Sequence, residues 1–249
     1  MVSWQSQFVL LITFYCRNMK NHEEKEMEGC CGGGGCGGSC ECSFGGGCGC
    51  DCGSAAGGQA SFVCKIGSEV PDFELEAYHE GENKKITLSD YLGKWVILFF
   101  YPADFTFVCP TELEEMAEHY EEFKKLNTEV LSVSTDTVHA HKAWHDMSKA
   151  VGKIKFPMLA DPTHALATMM GVLIREEGVA LRGSFIVDPD GVLKAIEIND
   201  NSIGRSAKEL LRKLKAAQFV REHGDQVCPA SWEPGDETLT PGVDLVGKI

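Results

Sequence analysis

The chain has 249 residues, 43% of them hydrophobic, and a formal net charge of −14 at pH 7. That is enough apolar material for one good-sized domain with extensions. The acidity argues against nucleic acid or an anionic membrane surface as a main partner, and no segment reaches the ~18–20 apolar residues of a membrane span.

Taken in chain order, residues 1–28 form an extension without a fold signal. The run from Phe8 to Cys16 is apolar, but no basic residue precedes it, Arg17 and Lys20 follow it, and no small-x-small cleavage pattern comes after. A secretory leader is therefore not expected, and Met19 is an alternative start. Residues 29–60 are a low-complexity tract of Gly and Cys, carrying Cys30, Cys31, Cys36, Cys40, Cys42, Cys48, Cys50 and Cys52. Such a tract has little to bury and much backbone entropy to lose, so a disordered tail is expected. Its Cys-x-Cys spacing resembles metallothionein-type sequences, in which thiolates wrap zinc or copper(I), although companion histidines are absent.

The folded domain is expected over residues 61–249, ending in an irregular arm. Ser68 to Tyr78 reads as an irregular lead-in with a short strand or hairpin, and Thr87 to Asp90 as a helical turn. Trp95 to Tyr101 is a continuous apolar run, read as a buried strand that Pro102 ends. A helix over about 108–126 follows, with apolar positions at Met116, Tyr120 and Phe123. Then come a strand from Glu129 to Ser134, a helix from Val138 to Val151, a short strand from Phe156 to Leu159 and a helix from Thr163 to Met170. Ser184–Asp188 and Leu193–Ile198 flank Pro189-Asp-Gly191, a hairpin signal. Ser206 opens a long amphipathic helix through Leu210, Leu214 and Phe219. This order predicts an α/β sandwich with a mixed central sheet, of thioredoxin-like architecture.

Twelve cysteines are present, but from Lys65 onward only Cys109 and Cys228 remain. Two isolated thiols do not make a zinc site, so no metal is expected in the domain. They are either inert core residues or a nucleophile and the thiol that resolves its oxidised form. Cys109 falls in the first turn of a helix that follows a strand, where unpaired N–H groups and the helix dipole favour an anion such as a thiolate. A reactive free thiol suits a reducing compartment, and a cytoplasmic location is expected.

Pro102-Ala-Asp-Phe-Thr106-Phe-Val-Cys109 fits the pattern Pro-x-x-x-Thr/Ser-x-x-Cys of the peroxiredoxins, and Val227-Cys228-Pro229-Ala230 resembles the second-cysteine motif of their typical two-cysteine group. Ala216-Ala-Gln-Phe-Val and the ending Asp244-Leu-Val-Gly-Lys-Ile249 are similar to the alkyl hydroperoxide reductase C type. The resemblance covers about residues 64–249 and implies a thiol peroxidase that acts on hydrogen peroxide and alkyl hydroperoxides, in antioxidant defence. In this reading Cys109 is the peroxidatic nucleophile, and its thiolate becomes a sulfenic acid. Pro102 shields the sulfur. The Thr106 hydroxyl contacts peroxide and thiolate, and it is also placed to be a helix N-cap. Arg182 matches the active-site arginine, whose guanidinium favours a thiolate and donates to transition-state oxygens. Glu112 would orient Arg182, and Arg205 matches a second, assisting arginine.

The resemblance further implies that Cys228 is the resolving thiol. It would join Cys109 of another chain in an antiparallel homodimer, with five dimers closing into a ring, and the turn carrying Cys109 would unwind to allow it. No cofactor is implied. Electrons return from a dithiol protein, either thioredoxin-like or a flavoprotein disulfide reductase. Peroxiredoxins prone to over-oxidation carry a Gly-Gly-Leu-Gly insertion and a C-terminal Tyr-Phe. Here Ala150-Val-Gly-Lys-Ile-Lys155 and a Gly-Lys-Ile249 ending stand instead, so resistance is expected. The alternatives are an oxidation-activated chaperone assembly and metal–thiolate binding by the tail.

Overall fold

The computed structural model describes residues 63–248, so the expected extension (1–28) and Gly/Cys tail (29–60) lie outside the described residues. In chain order the strands are β1 (Glu74–His79), β2 (Glu82–Thr87), β3 (Trp95–Phe100), β4 (Thr128–Ser134), β5 (Met158–Ala160), β6 (Leu173–Ile174), β7 (Val179–Ala180), β8 (Arg182–Val187) and β9 (Leu193–Asn199). The α-helices are α1 (Cys109–Glu118), α2 (Tyr120–Lys125), α3 (Val138–Met147), α4 (Ala165–Met169) and α5 (Ala207–Glu222).

Seven strands form one mixed sheet in the order β2-β1-β5-β4-β3-β8-β9. β4 runs parallel to both β3 and β5, while β8 is antiparallel to β3 and to β9. The apolar run of β3 explains its central place. Side chains alternate across a strand, so a strand without a polar face must be covered on both sides. Trp95, Ile97 and Phe99 enter a core shared with α1, α2, α3 and α5, while Val96, Leu98 and Phe100 enter a second core with α4 and the lead-in segment around Val70.

Local signals set most boundaries. The Thr137 hydroxyl accepts Ala140 N–H at the start of α3, and the Ser206 hydroxyl accepts Glu209 N–H at the start of α5. Gly191 takes a positive φ of 81° and closes the β8–β9 turn through its N–H to the Asp188 carbonyl at 2.9 Å. Several elements depart from the sequence reading. The long helix after Cys109 is broken at His119, and beyond the break Tyr120 sets its ring 5.5 Å from Phe156 while its hydroxyl donates to Glu129 at 2.7 Å. α3 stops at Met147, and of the rest of the predicted span only Val151 is helical, as the first residue of a 3-10 turn over Val151–Lys153. β5 begins two residues late because Pro157 has no N–H to give a ladder; its carbonyl instead accepts Ser132 N–H at 3.1 Å. The β6–β7 hairpin escapes sequence reasoning, since strands of two residues carry no readable periodicity.

Beyond α5 the arm is irregular but anchored. Val227 and Leu239 exchange backbone hydrogen bonds at 2.8 and 3.1 Å, closing a loop that carries Cys228. Trp232 is buried at 3% exposure, its ring 4.9 Å from Phe219 and its carbonyl accepting Arg212 at 3.0 Å.

Candidate active site

The site lies at the end of β3. The chain leaves that strand at Tyr101, loops through Pro102–Val108 and enters α1 at Cys109. Pairing of β8 with β3 brings Arg182, the first residue of β8, to the same end of the sheet. Arg205 follows from the loop between β9 and α5, and Glu112 stands one turn into α1. All four side chains are buried, Cys109 completely.

Arg182 Nη1 lies 3.4 Å from Cys109 Sγ and donates to Glu112 Oε2 at 2.6 Å. Glu112 Oε1 accepts the Arg205 backbone N–H at 2.7 Å and its Nε at 2.9 Å, while Oε2 also takes Arg205 Nη2 at 3.2 Å. One carboxylate therefore holds two guanidiniums, leaving one positive charge in excess beside the Cys109 sulfur. Burial is the largest influence on Arg205 and lowers its pKa, with Glu112 pulling the other way. The rest of the Arg205 guanidinium is satisfied by the Gly183 carbonyl at 2.8 Å and Ser184 Oγ at 3.1 Å, and it sits 3.5 Å over the Phe99 ring. Gly183 is required here by space, because a Cβ would come within 2.8 Å of both Phe185 and Val172.

Pro102 is buried at the mouth of the loop. Thr106 is not the helix cap: Val108 stands at the N-cap position of α1 without a side-chain cap bond, and the Thr106 hydroxyl donates to the Ala103 carbonyl at 2.9 Å. Its single proton is thereby committed, and its lone pairs remain as acceptors. Beneath the loop, Asp104 ties several elements together. Its backbone N–H donates to Asp136 at 2.8 Å, and its carboxylate accepts the Tyr101 hydroxyl at 2.8 Å and faces His141 Nδ1 at 2.8 Å. The His141 Nε2 hydrogen goes to the Leu159 carbonyl at 3.1 Å. Phe105, between these anchors, holds a positive φ of 56°, which side-chain-bearing residues adopt only under constraint.

Cys228 is a half-buried free thiol on the arm. Its Sγ faces the Ala216 carbonyl at 3.9 Å, beside a cavity of about 600 Å³ lined by Lys194, Arg212, Lys213 and Arg221 among others. Burial raises its pKa, and Arg212 opposes that. Thus the structure gathers Cys109, Glu112, Arg182 and Arg205 into one cluster, while Cys228 lies against α5. Sequence reasoning missed the Asn201 carbonyl, which accepts Arg182 Nε and Nη2 at 3.0 and 2.9 Å; a backbone acceptor leaves no mark in side-chain chemistry. It also missed the Asp104–His141–Tyr101 network, although Asp104 lies inside the motif.

A buried sulfur beside a fixed donor can attack an electrophilic oxygen while the donor stabilises the departing one. Comparisons with known proteins bear on the family. The family described as AhpC/TSA matches residues 66–196, and the C-terminal domain of 1-Cys peroxiredoxin matches residues 216–247. The chain is 55% identical over 185 residues to alkyl hydroperoxide reductase C of Amphibacillus xylanus and 53% identical over 184 residues to that of Bacillus subtilis, covering 74% of this chain and 98% of each relative. The crystal structure of Enterococcus faecalis AhpC is similar with a TM-score of 0.65 and 57% identity, over 67% of this chain and all of that one. Reduced Plasmodium vivax 2-Cys peroxiredoxin gives a TM-score of 0.69 at 34% identity, over 72% of this chain and 94% of that one.

Proposed function

This chain belongs to the AhpC/TSA family and is a thiol peroxidase, and from that premise we propose that Cys109 is the sulfur that attacks the peroxide. The observation that carries the assignment is the 3.4 Å approach of Arg182 to Cys109 Sγ, with Glu112 accepting from the same guanidinium nitrogen.

The Cys109 thiolate attacks one oxygen of ROOH, the O–O bond breaks, and the leaving oxygen takes a proton to depart as ROH or water. The product is Cys109 sulfenic acid. Thr106 accepts from the peroxide hydroxyl, and Arg182 donates to the oxygens as charge develops between them. Cys228 of a second chain then attacks the sulfenic sulfur, forming a disulfide and releasing water. Because Cys109 is fully buried and Cys228 lies against α5, this step needs the first turn of α1 to open. A dithiol protein, thioredoxin-like or a flavoprotein disulfide reductase, reduces the disulfide. Among the described residues β9 ends the sheet order, and the lead-in bonds its outer edge only at Leu193; the open remainder supports an antiparallel dimer through that strand, and five such dimers would close a ring. Among the described residues no helix is long and apolar enough to cross a membrane, and we place the protein in the cytoplasm on its thiol chemistry. The domain is assigned to residues 61–249 and the tail to 29–60.

Stopped-flow mixing of reduced protein with hydrogen peroxide, followed by Trp fluorescence, tests the assignment. A fast bimolecular phase is expected in wild type and Cys228→Ser and not in Cys109→Ser, with a disulfide-linked dimer absent in both variants. A Cys109→Ser protein that reacts like wild type would sink it.

A further inference from the structure

Arg182 is gripped from two sides. Glu112 binds it at one point, through Nη1 at 2.6 Å, and a planar guanidinium can swing about a single contact. The plane is fixed from the other side, where Nε and Nη2 both donate to the Asn201 carbonyl at 3.0 and 2.9 Å. That carbonyl has no side chain to steer it, so its direction is set by the turn that carries it. The turn over residues 200–203 is closed by Ile203 N–H to the Asp200 carbonyl at 3.0 Å. It is folded by the Asp200 carboxylate, whose Oδ1 accepts Ser202 N–H at 2.8 Å and also the Ser202 hydroxyl. The same loop then delivers the Arg205 N–H to Glu112 at 2.7 Å, so its shape is felt on both sides of the cluster.

We propose that Asp200 is a positioning residue for peroxide reduction: its carboxylate folds the turn that aims the Asn201 carbonyl at Arg182, and so sets the plane of the guanidinium beside Cys109. The proposal rests on the roles given above to Cys109 and Arg182. Asp200 is exposed at the surface and lies outside the buried ion cluster, so its effect is transmitted through the turn. The Ser202 hydroxyl and N–H, and behind them the Arg182 charge, hold Asp200 below the usual carboxylate range, so the acceptor is present at neutral pH.

The test is the second-order rate constant for hydrogen peroxide, measured on the full chain. Asp200→Ala, which deletes the acceptor, is expected to slow the reaction about tenfold, less than the ~100-fold that a 1 Å misplacement of a catalytic group costs. Asp200→Asn keeps an acceptor oxygen at the same place and is expected to recover most of that loss. In an Arg182→Ala background Asp200→Ala should change the rate less than about twofold, since two changes acting through one group do not add. An unchanged rate in Asp200→Ala overturns the proposal, as does an equal loss in the Asn variant or an undiminished effect without Arg182. Full reactivity of Cys109→Ser measured alongside would instead overturn the underlying reading.

Discussion

Replacing Glu112 by Gln keeps the shape of the side chain and removes its charge. In the native site Oε1 takes two donors from Arg205, and Oε2 takes Arg182 Nη1 at 2.6 Å and Arg205 Nη2 at 3.2 Å. A glutamine can keep its oxygen on the Oε1 side, but its NH₂ then points at two guanidinium N–H groups that have lost their acceptor. Both guanidiniums stay buried, at 3% exposure for Arg182 and 8% for Arg205, with no carboxylate between them. Removing one partner from a buried ion pair costs about 3–5 kcal/mol, because the remaining charge is uncompensated. For a domain of this size, at about 2–4 °C per kcal/mol, that lowers the unfolding midpoint by roughly 6–20 °C. With Arg182 released from Glu112, the rate with peroxide should fall by about 10²–10³, the usual loss for one donor to a developing negative charge. Calorimetry and stopped-flow fluorescence on the same preparation read both quantities. A variant with wild-type midpoint and wild-type rate would refute the argument that Glu112 holds the cluster together. A lowered midpoint with an unchanged rate would refute its link to catalysis through Arg182.

Thr106→Val should leave the unfolding midpoint within a few degrees while reducing the peroxide rate, by about 10²-fold as for loss of one catalytic hydrogen bond, since the hydroxyl is the acceptor left free in the loop; an unchanged rate in stopped flow would remove Thr106 from the mechanism. Burial raises the phenol of Tyr91 to about 12 from an ordinary value near 10, and raises Tyr101 and Tyr120 as well. These groups keep their protons in the folded state when the unfolded chain has released them, so their contribution to stability is complete below the ordinary phenol range and is lost as the pH rises through the raised values. The phenolates of these three should therefore appear late in an alkaline titration and jump on unfolding, and their early ionisation would contradict their burial. Repeated turnover at high peroxide should leave Cys109 free of sulfinic acid by peptide mass spectrometry, in keeping with Ala150–Lys155; rapid accumulation of sulfinate would show that this stretch does not protect it.

The sequence alone determined the central strand, the placement of Cys109 at the helix that follows it, the β8–β9 hairpin and the long last helix. These rest on local signals: an unbroken apolar run at β3, Pro102 as a stop, Asp190-Gly191 as a turn, and Ser206 with Glu209 as a cap. Cys109 and Arg182 were legible as candidates because they sit in compact motifs, and the resemblance supplied proposed roles that spacing could not. Tertiary structure decided what no local pattern encodes. The break at His119 comes where Tyr120 meets Phe156 and Glu129, and no local pattern marks it. Arg205, which the motif marked only as assisting, proves as tightly bound to Glu112 as Arg182 is, because pairing of β8 with β3 and the return of β9 carry both arginines to the same carboxylate. The contact that fixes the Arg182 plane belongs to the backbone of Asn201. Every residue carries the same carbonyl, so only the folded path of the chain distinguishes this one from the rest.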